Sequence, residues 1–67
     1  MLQDCTYHMH VEGRRTQYDV SFRNYRDAKE AYINAITTRG VHKVAIVASG
    51  YDVYERYQTH VVAIYNA

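Results

Sequence analysis

Apolar residues recur with a helical period in one stretch of the chain, residues 24–40. Asn24 can cap the first free backbone N–H groups, and Gly40 can adopt the left-handed conformation that closes a helix. The pattern therefore predicts an amphipathic helix that starts at Asn24 and ends near Gly40. Its apolar face follows the i, i+3, i+4, i+7 spacing and consists of Tyr25, Ala28, Ala31, Tyr32, Ala35 and Ile36.

Two segments before the helix alternate between apolar and polar residues, as half-buried strands do. Residues 4–12 alternate strictly, and residues 16–22 alternate again after a glycine-containing turn, so together they predict a β-hairpin. After the helix, residues 41–49 contain an unbroken apolar run, which is typical of an interior strand. We expect Ser49 and Gly50 to end this strand.

The last segment, residues 51–65, is rich in strand-forming residues but long for one strand, so a bulge or a second turn is expected within it. We assign its odd-numbered residues to the helix side and its even-numbered residues to the opposite side, although one bulge would exchange the two. The odd set comprises Tyr51, Val53, Tyr57, Val61, Ala63 and Tyr65.

The order of elements is then β-β-α-β-β. Its simplest form is a four-stranded antiparallel sheet with one helix packed on one face, and we expect residues 1–67 to form this single small α+β domain. The face opposite the helix would be left uncovered. It would expose apolar side chains in a patch that marks a binding or assembly surface, formed by Ala45, Val47, Tyr54, Val62 and Ile64.

The composition limits how such a domain can be stabilised. A chain of 67 residues buries only about 60% of the surface that it exposes when unfolded. The one cysteine, Cys5, cannot form an internal disulfide or a cysteine-rich zinc site. We therefore expect a partner, or a second copy in a homodimer, to contribute to stability.

Charge and hydropathy bear on location. The formal net charge is +1, so no strong field attracts the chain to phosphate or to an anionic membrane. The first residues, MLQDC, lack a basic segment followed by an apolar run, and we expect neither a signal peptide nor a membrane span. A free thiol suits a reducing compartment, so the expected location is the cytoplasm.

Candidate chemistry is sparse. His8 and His10 are two apart on one strand and project to the same side, but a metal site needs a third ligand, and we expect no metal and no cofactor. Cys5 and His8 point to opposite faces and cannot act as a nucleophile and base. Ser49 and Gly50 lack the glycine and lysine pattern of a phosphate cradle. We therefore expect no catalytic residues and no enzymatic activity.

The alternative to a protein-binding surface is a nucleic-acid interface. Arginines interleave with tyrosines along the chain, and a sheet that bears aromatic rings can stack single-stranded bases. In this interpretation Arg14, Arg15 and Lys43 contact phosphates. The low net charge and the missing second helix of the RNA-recognition arrangement favour the protein-binding interpretation.

The phrase YRDAKEAYINAI, residues 25–36, lies between two predicted hairpins. This arrangement resembles small phage-encoded proteins that block host defence or transcription, including some anti-CRISPR proteins. The resemblance implies a non-enzymatic inhibitor that occupies a surface of a host protein or complex in the host cytoplasm. It carries no residue over as functional.

The sequence therefore predicts a protein-interaction module that uses the face opposite the helix. Tyrosine and arginine most often dominate such contacts. The predicted contact residues are Tyr54, Arg56, His60, Val62 and Ile64, with His8 and His10 beside them if the first strand is adjacent.

Overall fold

The computed structural model describes residues 3–67, and within this range the chain forms four strands and one helix. The strands pair antiparallel in the order β2-β1-β3-β4, which confirms the predicted α+β fold with the element order β-β-α-β-β. No helix among these residues is long and apolar enough to cross a membrane. The elements are β1 (Gln3–Gly13), β2 (Gln17–Phe22), α1 (Tyr25–Ile36), β3 (Val41–Tyr51) and β4 (Tyr57–Asn66).

Helix α1 begins where the sequence predicts and ends earlier. The Asn24 side chain accepts a hydrogen bond from the Asp27 backbone N–H at 2.9 Å, which caps the helix. At the other end, the Thr37 hydroxyl donates to the Ile33 carbonyl at 2.9 Å, and the helix stops there. Gly40 does adopt a positive φ of 91°, but it lies in the turn that leads into β3. The predicted helix end near Gly40 is therefore wrong, because threonine hydroxyls cap the last carbonyls first.

The hydrophobic core lies between α1 and the two central strands, β1 and β3. Alanine side chains on the helix allow its backbone to approach the sheet closely, and branched side chains on the strands fill the space. Partly buried residues of the two outer strands extend the core, among them Phe22 of β2 and Tyr65 of β4. The buried members of this core cluster are Met9, Val11, Ala28, Ala35, Val41, Val44 and Ile46.

Strand β3 continues past the point where the sequence predicts its end. Ser49 and Gly50 remain in the ladder, and Gly50 pairs with Gln58 of β4. A glycine lacks a side chain but keeps both backbone hydrogen-bonding groups, so it can stay paired within a sheet. The predicted break at Ser49 and Gly50 is wrong, and the turn of this hairpin is formed by residues 52–56.

Strand β4 contains the bulge that its length predicts. Ala63 pairs with Ile46, and the next pair along the ladder joins Val61 to Val47, so Val62 is an extra residue. An extra residue interrupts the alternation of side chains between the two faces.

The structure divides the predicted odd-numbered set of residues 51–65 between the two faces. Ala63 and Tyr65 pack against the core, as predicted. Val61 lies opposite Val47 on the other face, and Tyr57 and Tyr51 oppose each other at the end of the same face. Assigning Val61, Tyr57 and Tyr51 to the helix side is therefore wrong.

Candidate protein-interaction surface

The face of the sheet opposite α1, called the open face from here on, has a polar half and an apolar half. No element of residues 3–67 covers it. Directly paired residues of antiparallel strands share a face, so the register assigns each side chain. Strands β2 and β1 contribute Asp19, Ser21, Thr6, His8, His10 and Glu12, and strands β3 and β4 contribute Lys43, Ala45, Val47, Ser49, Tyr51, Tyr57, Thr59, Val61 and Ile64.

His8 joins three strands on the polar half. Its Nδ1 lies 3.0 Å from the Ser21 hydroxyl, and its Nε2 lies 2.9 Å from the Ser49 hydroxyl. A neutral imidazole has one donor and one acceptor nitrogen, so one ring satisfies both hydroxyls. Ser49 is buried on this face, and the contact with His8 supplies the partner that a buried hydroxyl needs.

His10 lies in a group of opposite charges. Its Nδ1 is 2.8 Å from the Asp19 carboxylate and its Nε2 is 3.6 Å from the Glu12 carboxylate, which also lies 3.7 Å from the Lys43 ammonium. The hydrogen bond to Asp19 is the main reason that the pKa of His10 is raised, and the charges of Asp19 and Glu12 act in the same direction. The polar half is therefore internally paired.

The apolar half follows β3 and β4 along their length. We call it the β3–β4 stripe and define it as Ala45, Val47, Tyr51, Tyr57, Val61 and Ile64. Val61 is 62% exposed and Ile64 is 57% exposed, although both are aliphatic. A row of exposed apolar side chains on one face is typical of a binding surface.

The stripe leads into the turn between β3 and β4, which a single carboxylate organises. The Asp52 side chain accepts hydrogen bonds from the backbone N–H groups of Tyr54 and Arg56 at 2.9 and 3.0 Å. It also accepts from Arg56 Nε at 3.0 Å and from the Gln58 amide at 3.3 Å. The bond from the Arg56 backbone is the main cause that lowers the pKa of Asp52. The turn therefore has a fixed conformation.

Aromatic side chains project from this fixed turn. Tyr54 is 75% exposed, and the Arg56 guanidinium lies over its ring at 5.1 Å from the centroid. At the base of the turn, the rings of Tyr51 and Tyr57 pack edge to face with centroids 5.6 Å apart. We call these four residues with Val53 the hairpin tip. It is an exposed aromatic surface that is held in place before any partner binds.

The predicted contact residues lie partly on the open face, partly on the hairpin tip and partly around the bulge of β4. His8, His10 and Ile64 lie on the open face, and β1 is indeed next to β3. Tyr54 and Arg56 lie on the hairpin tip instead of within a strand.

The bulge determines where the other two predicted contact residues, Val62 and His60, lie on the sheet. Val62 is the extra residue of the bulge, and His60 pairs with Ala48, whose side chain belongs to the helix side of the sheet. Placing His60 on the open face is therefore wrong, because the bulge shifts the alternation by one residue.

The predicted nucleic-acid residues do not form one surface. Arg14 and Arg15 lie in the turn between β1 and β2, where they line an open groove together with Arg39. Lys43 lies on the open face beside Glu12. The sheet tyrosines Tyr51 and Tyr57 lie at the far end of β3, and a strand of this length spans about 35 Å. Arg14 and Arg15 therefore lie too far from Tyr51 and Tyr57 to contact one short strand together with them.

The positions of the histidine, serine and carboxylate side chains bear on metal binding and acid-base chemistry. Within residues 3–67, no group of three or more histidine, cysteine, aspartate or glutamate residues could hold a metal ion. Ser49 and His8 are within hydrogen-bonding distance, as a nucleophile and base would be, but the third group is the neutral hydroxyl of Ser21. The Ser49 hydroxyl is buried on a sheet face, and the contact satisfies it.

Sequence reasoning missed three members of the surface. Tyr51, Tyr57 and Val61 belong to the open face, whereas the sequence assigns them to the helix side. The position of the bulge, which exchanges the faces of Tyr57 and Val61, is not visible in the alternation. Tyr51 belongs to β3, which the sequence predicts to end at Ser49 and Gly50. An aspartate at the start of a turn, followed by polar residues, is a signal for a side chain that bonds the backbone two residues later. Asp52 carries that signal. No family model matches the chain, and no curated protein or solved structure matches it either.

Proposed function

We propose that this chain is a non-enzymatic protein-interaction module that binds a partner protein through the β3–β4 stripe and the hairpin tip. The resemblance to small phage-encoded inhibitors suggests that the partner is a host protein or complex, and that binding blocks its activity. The free thiol of Cys5 is compatible with action in the cytoplasm.

One observation carries the proposal: an exposed pair, Tyr54 and Arg56, on a turn that Asp52 holds rigid. Tyrosine and arginine are enriched among the residues that contribute most to protein interfaces, where truncation of one costs about 2 kcal/mol or more. A surface that is already ordered avoids the entropy cost of ordering loops on binding.

The chemistry of this surface indicates which kind of partner surface would be complementary to it. Strand β4 carries no aspartate, glutamate, lysine or arginine, and the stripe is aliphatic and aromatic. Arg56, the charged member of the tip, is already paired with Asp52 at 3.0 Å. The partner should therefore present an apolar groove, and its complex should resist salt, because salt screens charges and leaves apolar burial intact.

The first experiment is a pull-down with the tagged chain from host lysate, treated with nuclease and washed in high salt. The double variant Tyr54→Ala, Ile64→Ala removes one side chain from the tip and one from the stripe, and both are exposed. We expect a single retained protein to be lost with this variant, and the purified partner to bind it about thirtyfold or more weakly.

The matched control is Tyr18→Ala, which removes an exposed tyrosine from β2 at the opposite edge of the sheet. It should bind the partner like the unmodified chain. Equal binding by the double variant, in a chain that still folds, would exclude the stripe and tip. Retention that disappears with nuclease would favour the nucleic-acid alternative. A homodimer would appear as a second copy of the chain, with sedimentation that depends on concentration.

A further inference from the structure

An arginine-lined groove lies at the end of the molecule away from the hairpin tip. It forms where the turn between β1 and β2 meets the loop between α1 and β3, and its volume is about 550 Å³. The molecule is elongated, 42 Å in its longest dimension, so this groove and the tip are separate surfaces. Its walls include Arg14, Arg15, Arg39, Tyr18, Thr38 and Val41.

Backbone contacts fix the two loops against each other. The Arg14 N–H donates to the Gly40 carbonyl at 3.1 Å, and the Gly13 N–H donates to the Thr16 carbonyl at 2.8 Å. A Cβ atom at Gly13 would lie 2.8 Å from the Gly40 carbonyl oxygen, so only glycine permits this approach. Gly40 itself has a φ of 91°, which favours glycine. The groove is thus built from two loops that are hydrogen-bonded to each other.

The charge of the groove is of one sign. Three of its lining residues are arginines, and none of the lining residues within the described chain is an aspartate or glutamate. The ion pairs among residues 3–67 involve Lys43 and Arg56 but none of these three guanidinium groups. Like charges held together repel, and an anion bound among them relieves this repulsion.

The shape and lining define the anion. Guanidinium groups bind phosphate oxygens in a bidentate manner, and several of them together favour a group with more than one negative charge. A terminal phosphate monoester carries about −1.5 to −2 at neutral pH. The volume lies within the range of about 300–1,000 Å³ that is typical of small-molecule sites. Tyr18 and Val41 add an aromatic and an aliphatic wall against which a flat ring can pack.

We propose that this groove binds the terminal phosphate of a phosphorylated nucleoside, with the base or sugar against Tyr18. The same chemical group occurs on a free mononucleotide and at the 5′ end of a nucleic-acid strand. This site is independent of the protein-binding surface proposed above and shares no residue with it.

The test is a titration of the ¹⁵N-labelled chain with adenosine monophosphate, adenosine and inorganic phosphate, followed by NMR. Adenosine monophosphate should bind saturably and shift the amide signals of residues 14–18 and 38–41. Adenosine should bind at least about tenfold more weakly, because it lacks the charge-assisted hydrogen bonds. Inorganic phosphate should shift the same arginine amides but leave the amide of Tyr18 unchanged.

Variants separate a specific site from a general charge effect. Arg14→Ala and Arg39→Ala should each weaken adenosine monophosphate binding about tenfold, since each removes charged hydrogen bonds. Arg26→Ala removes the same charge from the exposed surface of α1 and should leave binding unchanged. Arg39→Lys keeps the positive charge but lacks the bidentate guanidinium group. Its affinity for adenosine monophosphate should therefore lie between those of Arg39→Ala and the unmodified chain. Because all three arginines are exposed, the variants should fold, which their NMR spectra will verify.

A pair of short oligonucleotides, with and without a 5′ phosphate, distinguishes the two sources of the group. Tighter binding of the 5′-phosphorylated strand than of adenosine monophosphate assigns the groove to strand ends, and equal or weaker binding assigns it to free nucleotides. Equal loss of binding in Arg26→Ala and Arg14→Ala would overturn the proposal in favour of general charge. The absence of saturable shifts with adenosine monophosphate would also overturn it.

Discussion

Two isoleucines on neighbouring strands test which face of the sheet is covered. Ile46 of β3 is 1% exposed and pairs with Ala63, whereas Ile64 of β4 is 57% exposed and pairs with Ala45. The substitution Ile→Val removes one methylene from each side chain. The chemical change is therefore the same at both positions, and only the burial of the side chain differs. A buried Ile→Val substitution costs about 0.5–1.5 kcal/mol, whereas an exposed one stays within about 0.5 kcal/mol.

The expected difference is large relative to the stability of so small a domain. At about 0.05–0.15 kcal/mol per residue, 67 residues give a total free energy of unfolding of roughly 3–10 kcal/mol. With a urea m-value of about 1 kcal/mol/M, Ile46→Val should lower the unfolding midpoint by roughly 0.5–1.5 M. Ile64→Val should leave the midpoint nearly unchanged.

Urea unfolding followed by circular dichroism measures both midpoints under the same conditions. Equal losses in the two variants would refute the assignment of faces, since Ile64 would then have to be buried in solution. Repeating the series at a tenfold different protein concentration identifies the cause, because a midpoint that depends on concentration indicates that a second copy covers the open face.

Three further perturbations address the loops and the charged groups. Gly13→Ala places a Cβ atom 2.8 Å from the Gly40 carbonyl oxygen and should cost about 1–3 kcal/mol, seen as a lower Tm; an unchanged Tm would mean that the two loops are not in contact. Because the pKa of His10 is raised in the folded state, the contact of His10 with Asp19 stabilises the fold. This contribution is fully present below the unfolded pKa of about 6.5 and is lost as pH rises through the folded pKa. Asp19→Asn should therefore lower Tm at about pH 6 and have a smaller effect at about pH 8, and an equal effect at both would contradict the ion pair. The lowered pKa of Asp52 implies stability that is present above about pH 4 and is lost as pH falls through the folded pKa, so Asp52→Asn should melt with less dependence on acid than the unmodified chain does.

The elements of the fold could be predicted because their signals are local. The helix period, the Asn24 cap and the strict alternation of β1 depend on residues that are close in sequence, and the structure contains all three. The order of elements then left few arrangements for a four-stranded antiparallel sheet. The end of the helix was predicted less well, because threonine hydroxyls and a glycine compete to cap the same carbonyls.

The binding surface could be predicted only in part because it depends on pairing between distant residues. The bulge at Val62 is fixed by how β4 aligns with β3, and the alternation of β4 alone does not show which residue is extra. Consequently, the sequence predicts His60 and Val62 on the open face and assigns Val61 to the helix side. The sequence does not connect Arg39 with Arg14 and Arg15, since the pairing of β1 with β3 and the hydrogen bond from Arg14 to Gly40 bring the two loops together.

The bulge has a consequence for how the protein avoids aggregation. Strand β4 is an edge of the sheet, and it contains neither proline nor a charged residue that would discourage another chain from adding a strand to it. Without Val62, Val61 and Ala63 would keep their present partners, and β4 would become a regular and straight edge. The extra residue bends the strand and interrupts the row of free backbone groups that would template a fibril. A chain that exposes an apolar face thus retains one backbone irregularity that hinders growth from its edge.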